Sequence, residues 1–155
     1  MKAIQAKKHK HIKSKCHRNQ VICPYCGGQA LLRDASYVHQ KPLYNLRLQY
    51  LYVCIRYPKC NAYVSVYPNT LKPMGPLANA ELRRKRREAH IAFDKLWRMG
   101  IFSRDEAYKW LTDLFFINGR AHIARLSEDR CTQLVLEAAK VIENRIAVQG
   151  KRKAW

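Results

Sequence analysis

A chain of 155 residues has room for one ordinary domain, or for two small ones joined by a linker. Its 30 Lys and Arg against 11 Asp and Glu give a formal net charge of +19, which draws polyanions toward it, and nucleic acid is the usual one. No run of about 20 apolar residues exists to span a membrane, and Lys7-Lys8-His9-Lys10-His11 breaks the apolar core a secretory signal needs, so a reducing, cytoplasmic setting is expected, where thiols stay open to metal.

The charge is unevenly spread. Residues 1–80 carry 13 Lys/Arg and one acid, Asp34, whereas residues 81–155 carry 17 Lys/Arg and 10 acids. A merely solubilising surface would interleave both signs. Residues 1–20 hold seven Lys/Arg, three His and no acid, with only Ile4 and Ile12 as large aliphatic residues. Such a segment cannot bury enough apolar surface to offset its ordering entropy, and it reads as a basic flexible arm. Its histidines and Cys16-His17 read as solvated polar residues, with Cys16 held in reserve as a substitute ligand.

Residues 21–67 read as a four-cysteine zinc ribbon. Cys23-Pro24-Tyr25-Cys26-Gly27-Gly28 is answered by Cys54-Ile55-Arg56-Tyr57-Pro58-Lys59-Cys60. Two paired turns of this kind supply the four thiolates that a tetrahedral zinc ion asks for. The expected ligands are Cys23, Cys26, Cys54 and Cys60, holding one structural zinc. The glycines after Cys26 suit a turn in which backbone N–H groups face sulfur. Between the two turns, Gln29 to Ser36 reads as a first strand, and His39 to Pro42 as a looser turn. Tyr44, Leu46, Leu48, Tyr50 and Tyr52 then alternate at strand period. Ala62 to Tyr67 alternates again, with Val64 and Val66 on one side and Tyr63 and Tyr67 on the other. Three antiparallel strands follow. Their tyrosines serve either as a platform for stacked bases or as packing against the rest of the chain. Tyr57 and Tyr63 are the first candidates for stacking, with Arg33, Arg47, Arg56 and Lys59 near enough in sequence to meet phosphates.

The Cys-Pro-Tyr-Cys-Gly-Gly turn, Leu31-Leu32-Arg33, Tyr57-Pro58-x-Cys60 and Ala62-Tyr63-Val64 resemble the C-terminal zinc ribbons of bacterial type IA topoisomerases. The 27 residues between Cys26 and Cys54 exceed what those ribbons have. A fuller similarity runs through about residues 21–140, on Leu77-Ala78-Asn79-Ala80-Glu81-Leu82-Arg83, Ala89-His90, Phe93-Asp94, Leu96-Trp97, Ala107-Tyr108-x-Trp110-Leu111 and His122-Ile123. These are similar to a phage and prophage family of zinc-finger-containing proteins. That resemblance implies a viral or prophage origin, a host-cell cytoplasm if the protein is phage-encoded, and a metal site, but no reaction.

Residues 68–78 hold Pro68, Pro73, Pro76 and Gly75, and read as a proline-rich linker or an extended strap. Residues 79–155 read as a helical domain with a basic tail. Asn79 is the expected N-cap of a helix whose stripe is Leu82, Ala89, Phe93, Leu96 and Trp97. Five successive cations, Arg83 to Arg87, must point in nearly all directions, so some lie at the stripe's edge. Arg83, Arg84, Arg86 and Arg87 join the expected phosphate contacts. Gly100 ends that helix, and Ser103 to Glu106 is a capping-box sequence opening the next. Asn118-Gly119 is a turn. A last helix starts at Ser127, carries Cys131 in its apolar stripe, and is expected to close at Gln149-Gly150.

The expected class is therefore α+β, a small antiparallel zinc ribbon followed by a three-helix C-terminal bundle. No enzyme is expected. His90, Asn118 and His122 lack the hairpin-and-helix placement of a His-Asn-His nuclease, and no paired acids suit two-metal chemistry. The expected partner is nucleic acid, single-stranded slightly ahead of duplex, with no small-molecule substrate. The alternative is an adaptor or inhibitor docking on a host transcription or replication protein.

Overall fold

The computed structural model describes residues 20–40, 50–119 and 121–152. Three antiparallel strands, β1 (Ala30–Asp34), β2 (Tyr50–Cys54) and β3 (Tyr63–Ser65), form one sheet in the order β1-β2-β3. The register pairs Leu31 with Val53, Leu32 with Tyr52, Leu51 with Ser65 and Val53 with Tyr63. Side chains alternate across a strand, so Leu51, Val53 and Tyr63 share one face and Tyr52, Cys54 and Val64 share the other. The expected strands are present but shorter. Of the alternating run that announced β2, only Tyr50 and Tyr52 lie within the described residues; Tyr44, Leu46, Arg47 and Leu48 do not, nor does the basic arm with Cys16.

The first strand stops earlier than Ser36. The Asp34 carboxylate accepts the Ser36 N–H at 2.8 Å, the local bond by which an aspartate turns the chain. A single helical turn, α1 (Ser36–His39), follows where the sequence suggested strand and loop. Gln40 closes it in the left-handed region at φ 52°. This turn lays Ala35 and Val38 over Leu51 and Val53, with Tyr57 and Tyr63 at the border. Both faces of the small sheet are therefore covered.

The proline-rich stretch runs along the outer edge of β3. Met74 N–H donates to Ser65 O at 2.8 Å, and Tyr63 and Ala78 exchange both backbone bonds at 3.1 Å. An edge position is where proline, lacking an N–H, can lie beside a sheet. The Tyr52 hydroxyl reaches across to donate to Leu71 O, and Leu77 and Ala78 are buried. Residues 68–78 thus form a strap bonded to the ribbon.

Three long helices complete the chain: α2 (Ala80–Arg98), α3 (Arg104–Leu114) and α4 (Glu128–Arg152), with a 3₁₀ turn at Ile123–Arg125. The Asn79 side chain accepts the Leu82 N–H at 2.8 Å as the N-cap of α2. Both bonds of the capping box join Ser103 and Glu106. Gly100, at φ 65°, closes the end of α2. The bundle core gathers Ala89, Phe93 and Leu96 with Ala107, Leu111, Ile123, Leu126, Leu134 and the buried Cys131. Phe93 meets Tyr108 edge-on at 5.1 Å. α4 corrects one expectation, because it continues through Gly150 to Arg152. A glycine costs a helix only about 1 kcal/mol, less than 25 residues of continuous helix can absorb. Among the described residues, no helix is long and apolar enough to cross a membrane.

Two tight contacts hold the 3₁₀ turn and the residue after it, one from α2 and one from the strap. Arg86 reaches inward from α2, 9 % exposed, and its Nε donates to Leu126 O at 3.1 Å. Gly75 of the strap sits so close to the 3₁₀ turn that a Cβ there would lie 2.7 Å from Ala124 O. Backbone on both sides leaves no flexible side chain to yield. Gly75→Ala is expected to destabilise the protein by about 1–3 kcal/mol, read as a lower midpoint in urea unfolding; an unchanged midpoint would show that strap and bundle do not meet this closely.

Candidate metal centre and the surface around it

Each half of the site is a short backbone turn. Gly27 N–H donates to Cys23 O at 2.9 Å and Cys23 N–H to Gly28 O at 2.8 Å, which folds Cys23 and Cys26 toward one point. Gly27 takes φ 67°, a conformation that costs glycine little. In the second half, Tyr57 N–H bonds Cys54 O and Cys60 N–H bonds Arg56 O, at 2.9 and 3.0 Å. The Arg56 guanidinium crosses between the halves to donate to Cys26 O at 3.2 Å.

The four sulfurs converge. Cys23 Sγ lies 3.6 Å from Cys60 Sγ, Cys26 Sγ lies 3.4 Å from Cys54 Sγ, and all four fall within 4.8 Å of one another. Zinc–sulfur bonds of about 2.3 Å in a tetrahedron place sulfurs about 3.8 Å apart, so the donor set fits one zinc ion. Gly28 adds a second sign. A Cβ there would stand 3.3 Å from Cys26 Sγ and 3.8 Å from Cys54 Sγ, so only glycine leaves the sulfurs this open a floor. Among the described residues no other cluster of His, Cys, Asp or Glu could hold a metal. Cys131, alone in the bundle core, has its thiol pushed up by burial.

The thiols are not equivalent. The Gly28 N–H, seconded by Cys54, lowers Cys26 to about 7, while burial pushes Cys54 up to about 12 and Cys60 in the same direction. At neutral pH a metal must therefore displace protons from Cys54 and Cys60 as it binds, and its apparent affinity rises with pH. Four thiolates fill a tetrahedron, which leaves no open position for a water or substrate.

Around this centre the expected nucleic-acid residues fall into three groups. Arg33, Arg56 and Lys59 are exposed on the ribbon, and Arg87 is exposed on α2. Arg83, Arg84 and Arg86 are engaged within the fold. Arg83 lies flat over the Tyr63 ring at 3.7 Å and donates to Asn61 O and Ala78 O. Arg84 pairs with Glu81 and Glu88, on solvent-exposed side chains, and Arg86 is the inward bond to Leu126. Arg47 lies outside the described residues.

The two tyrosines chosen for stacking are also occupied. Tyr63 is half-buried between Arg83 and an edge-on His39 at 5.8 Å, and Tyr57 is half-buried beside Tyr37 at 5.9 Å. The more exposed rings are Tyr25, in the first metal turn, and Tyr37, on α1, which meets Tyr57 on one side and has Arg33 at 5.3 Å. Sequence reasoning passed over both. The signal for Tyr25 was its place between two ligands, where a side chain must point away from the sulfurs. His90 and His122 stand on α2 and at the start of the 3₁₀ turn, in no common cluster.

A family model described as a zinc-finger-containing domain matches residues 19–141, a span that includes the four clustered cysteines, the strap and most of the bundle. No curated protein and no solved structure matches the chain. Cys54→Ser is expected to drop bound zinc well below one per chain and to strip hydrogen-exchange protection from β2 and β3, while α3 keeps its own. Retention of full zinc in that variant, measured by atomic emission, would remove Cys54 from the ligand set.

Proposed function

From the premise that this chain belongs to the zinc-finger-containing family, we propose that it binds nucleic acid without strict sequence choice, chiefly through ribbon cations that have no acidic partner among the described residues. One observation carries this. The ion pairs among the described residues, Arg84 with Glu81 and Glu88, Arg98 with Asp94 and Lys140 with Glu137, all lie on the helices. Arg33, Arg56 and Lys59 enter no ion pair among the described residues. Three exposed cations in a half of the chain with a single acid form a field that a phosphate backbone satisfies.

The rings fit the same partner. Tyr25 and Tyr37 are 42 % and 51 % exposed, near the metal turns and Arg33, and a tyrosine stacks on any base. That tolerance favours unpaired bases over duplex readout. Arg87 extends the cationic surface onto α2, whose N-terminal turn is docked on the second metal turn through Arg83 and Asn61. The zinc in this reading holds the ribbon in shape and performs no reaction. A reducing compartment, which keeps its thiols free, suits that role.

Arg56→Ala with Lys59→Ala, confirmed to hold one zinc per chain because Arg56 also bonds Cys26 O, tests the reading without disturbing Arg83 or Arg86. Fluorescence anisotropy with a labelled single strand should show tight binding at about 50 mM salt that weakens steeply by about 200 mM. The double variant should bind every sequence more weakly and lower the salt slope by about 1.5. Salt-independent binding, or none by the zinc-loaded protein, would sink it.

A further inference from the structure

The turn that closes α3 carries a residue that its geometry disfavours. Ile117 N–H donates to Thr112 O at 3.0 Å and Phe116 N–H to Asp113 O at 3.2 Å, the paired bonds of a Schellman ending. That ending needs a left-handed residue between them, and Phe116 occupies it at φ 50°. Glycine or asparagine usually stands there, because a Cβ crowds the carbonyl. The end of α2 keeps to this rule with Gly100. A bulky apolar residue can offset such strain by packing, yet Phe116 is 93 % exposed. Its neighbours Phe115 and Ile117 are the ones turned into the core. Neither backbone nor core has a use for this ring.

We propose that Phe116 is a nucleobase-stacking residue, a second contact for the same unpaired strand, an inference that rests on the nucleic-acid reading above. A residue kept against local preference and without a structural return points to function. The ring's isolation points to the ligand. A protein hot spot sits within an apolar, desolvated surround, whereas Phe116 shares its turn with exposed Asp113, Asn118 and Gly119. A base needs only one ring face. Arg130, exposed on α4, stands 5.5 Å from the Phe115 ring at the same end of the bundle, where its guanidinium can meet a phosphate. The two backbone bonds hold the turn, so the backbone that carries the ring loses little freedom on stacking.

The test measures binding and folding on the full zinc-loaded chain, with Phe116→Gly, Phe116→Leu and Phe116→Trp. The probe is a single-stranded oligonucleotide containing 2-aminopurine, whose emission drops on stacking. Phe116→Gly should raise the thermal midpoint by about 2–4 °C, as strain is relieved, yet weaken binding about tenfold with the salt slope unchanged. Phe116→Leu should lose the quenching and Phe116→Trp should keep it. Wild-type affinity and quenching in Phe116→Leu would overturn the stacking role and leave the ribbon's electrostatic binding intact. A lowered midpoint in Phe116→Gly would also overturn it, since the ring would then serve the fold. Failure of the wild-type chain to bind any strand would instead remove the underlying reading as well.

Discussion

The convergence of four sulfurs is the constraint on which the ribbon depends. Its strands are five, five and three residues long, too short to exclude water by their own area. The core beside them is made partly of the ligands, because Cys23 and Cys54 are among its buried members with Ala30, Ala62, Val64 and Leu77. Zinc therefore replaces missing hydrophobic surface and also joins two turns that are 27 residues apart in sequence. The strap and α1 then close the two sides that the metal does not reach.

With the ribbon fixed, packing sorts the five cations at the start of α2. Arg83 is laid over Tyr63, Arg84 is shared between two glutamates, Arg86 is drawn inward to a carbonyl, and Arg87 is left to solvent. One uninterrupted basic stretch thus yields three structural side chains and at least one exposed charge. The exposed ion pairs contribute little to stability. Arg86 contributes more, because a buried carbonyl and a buried cation each lose their partner if the bond is lost.

Much of the site was legible in the sequence because zinc ligation, capping and helical period are short-range signals. Cysteine spacing located the metal, Asn79 and Ser103-Glu106 located two helix starts, and the stripes of α2 to α4 located the bundle core. What escaped depends on contacts distant in the chain. Tyr57 and Tyr63 looked open as strand and turn residues, but α1, itself hidden by the Asp34 turn, and Arg83 cover them. The direction of each cation in the Arg83–Arg87 run is set by where Tyr63 and Leu126 stand, which local reasoning cannot supply. Gly75 read only as one residue of a linker or strap, and its close approach to Ala124 depends on a segment much later in the chain. Gly150 read as a helix stop and is passed through.

The link between Asn61 and α2 has a thermodynamic consequence. Asn61 follows directly on the ligand Cys60, and its side-chain oxygen accepts the Ala80 N–H at 2.9 Å, the first residue of α2. The Asn61 carbonyl holds Arg83 one turn further on. A shift of Cys60 on loss of the metal would thereby be passed directly to the first turn of the basic helix. Coupling of this kind is reciprocal: any factor by which the ion tightened a ligand's hold on the basic helix would return, undiminished, as tighter equilibrium binding of the ion.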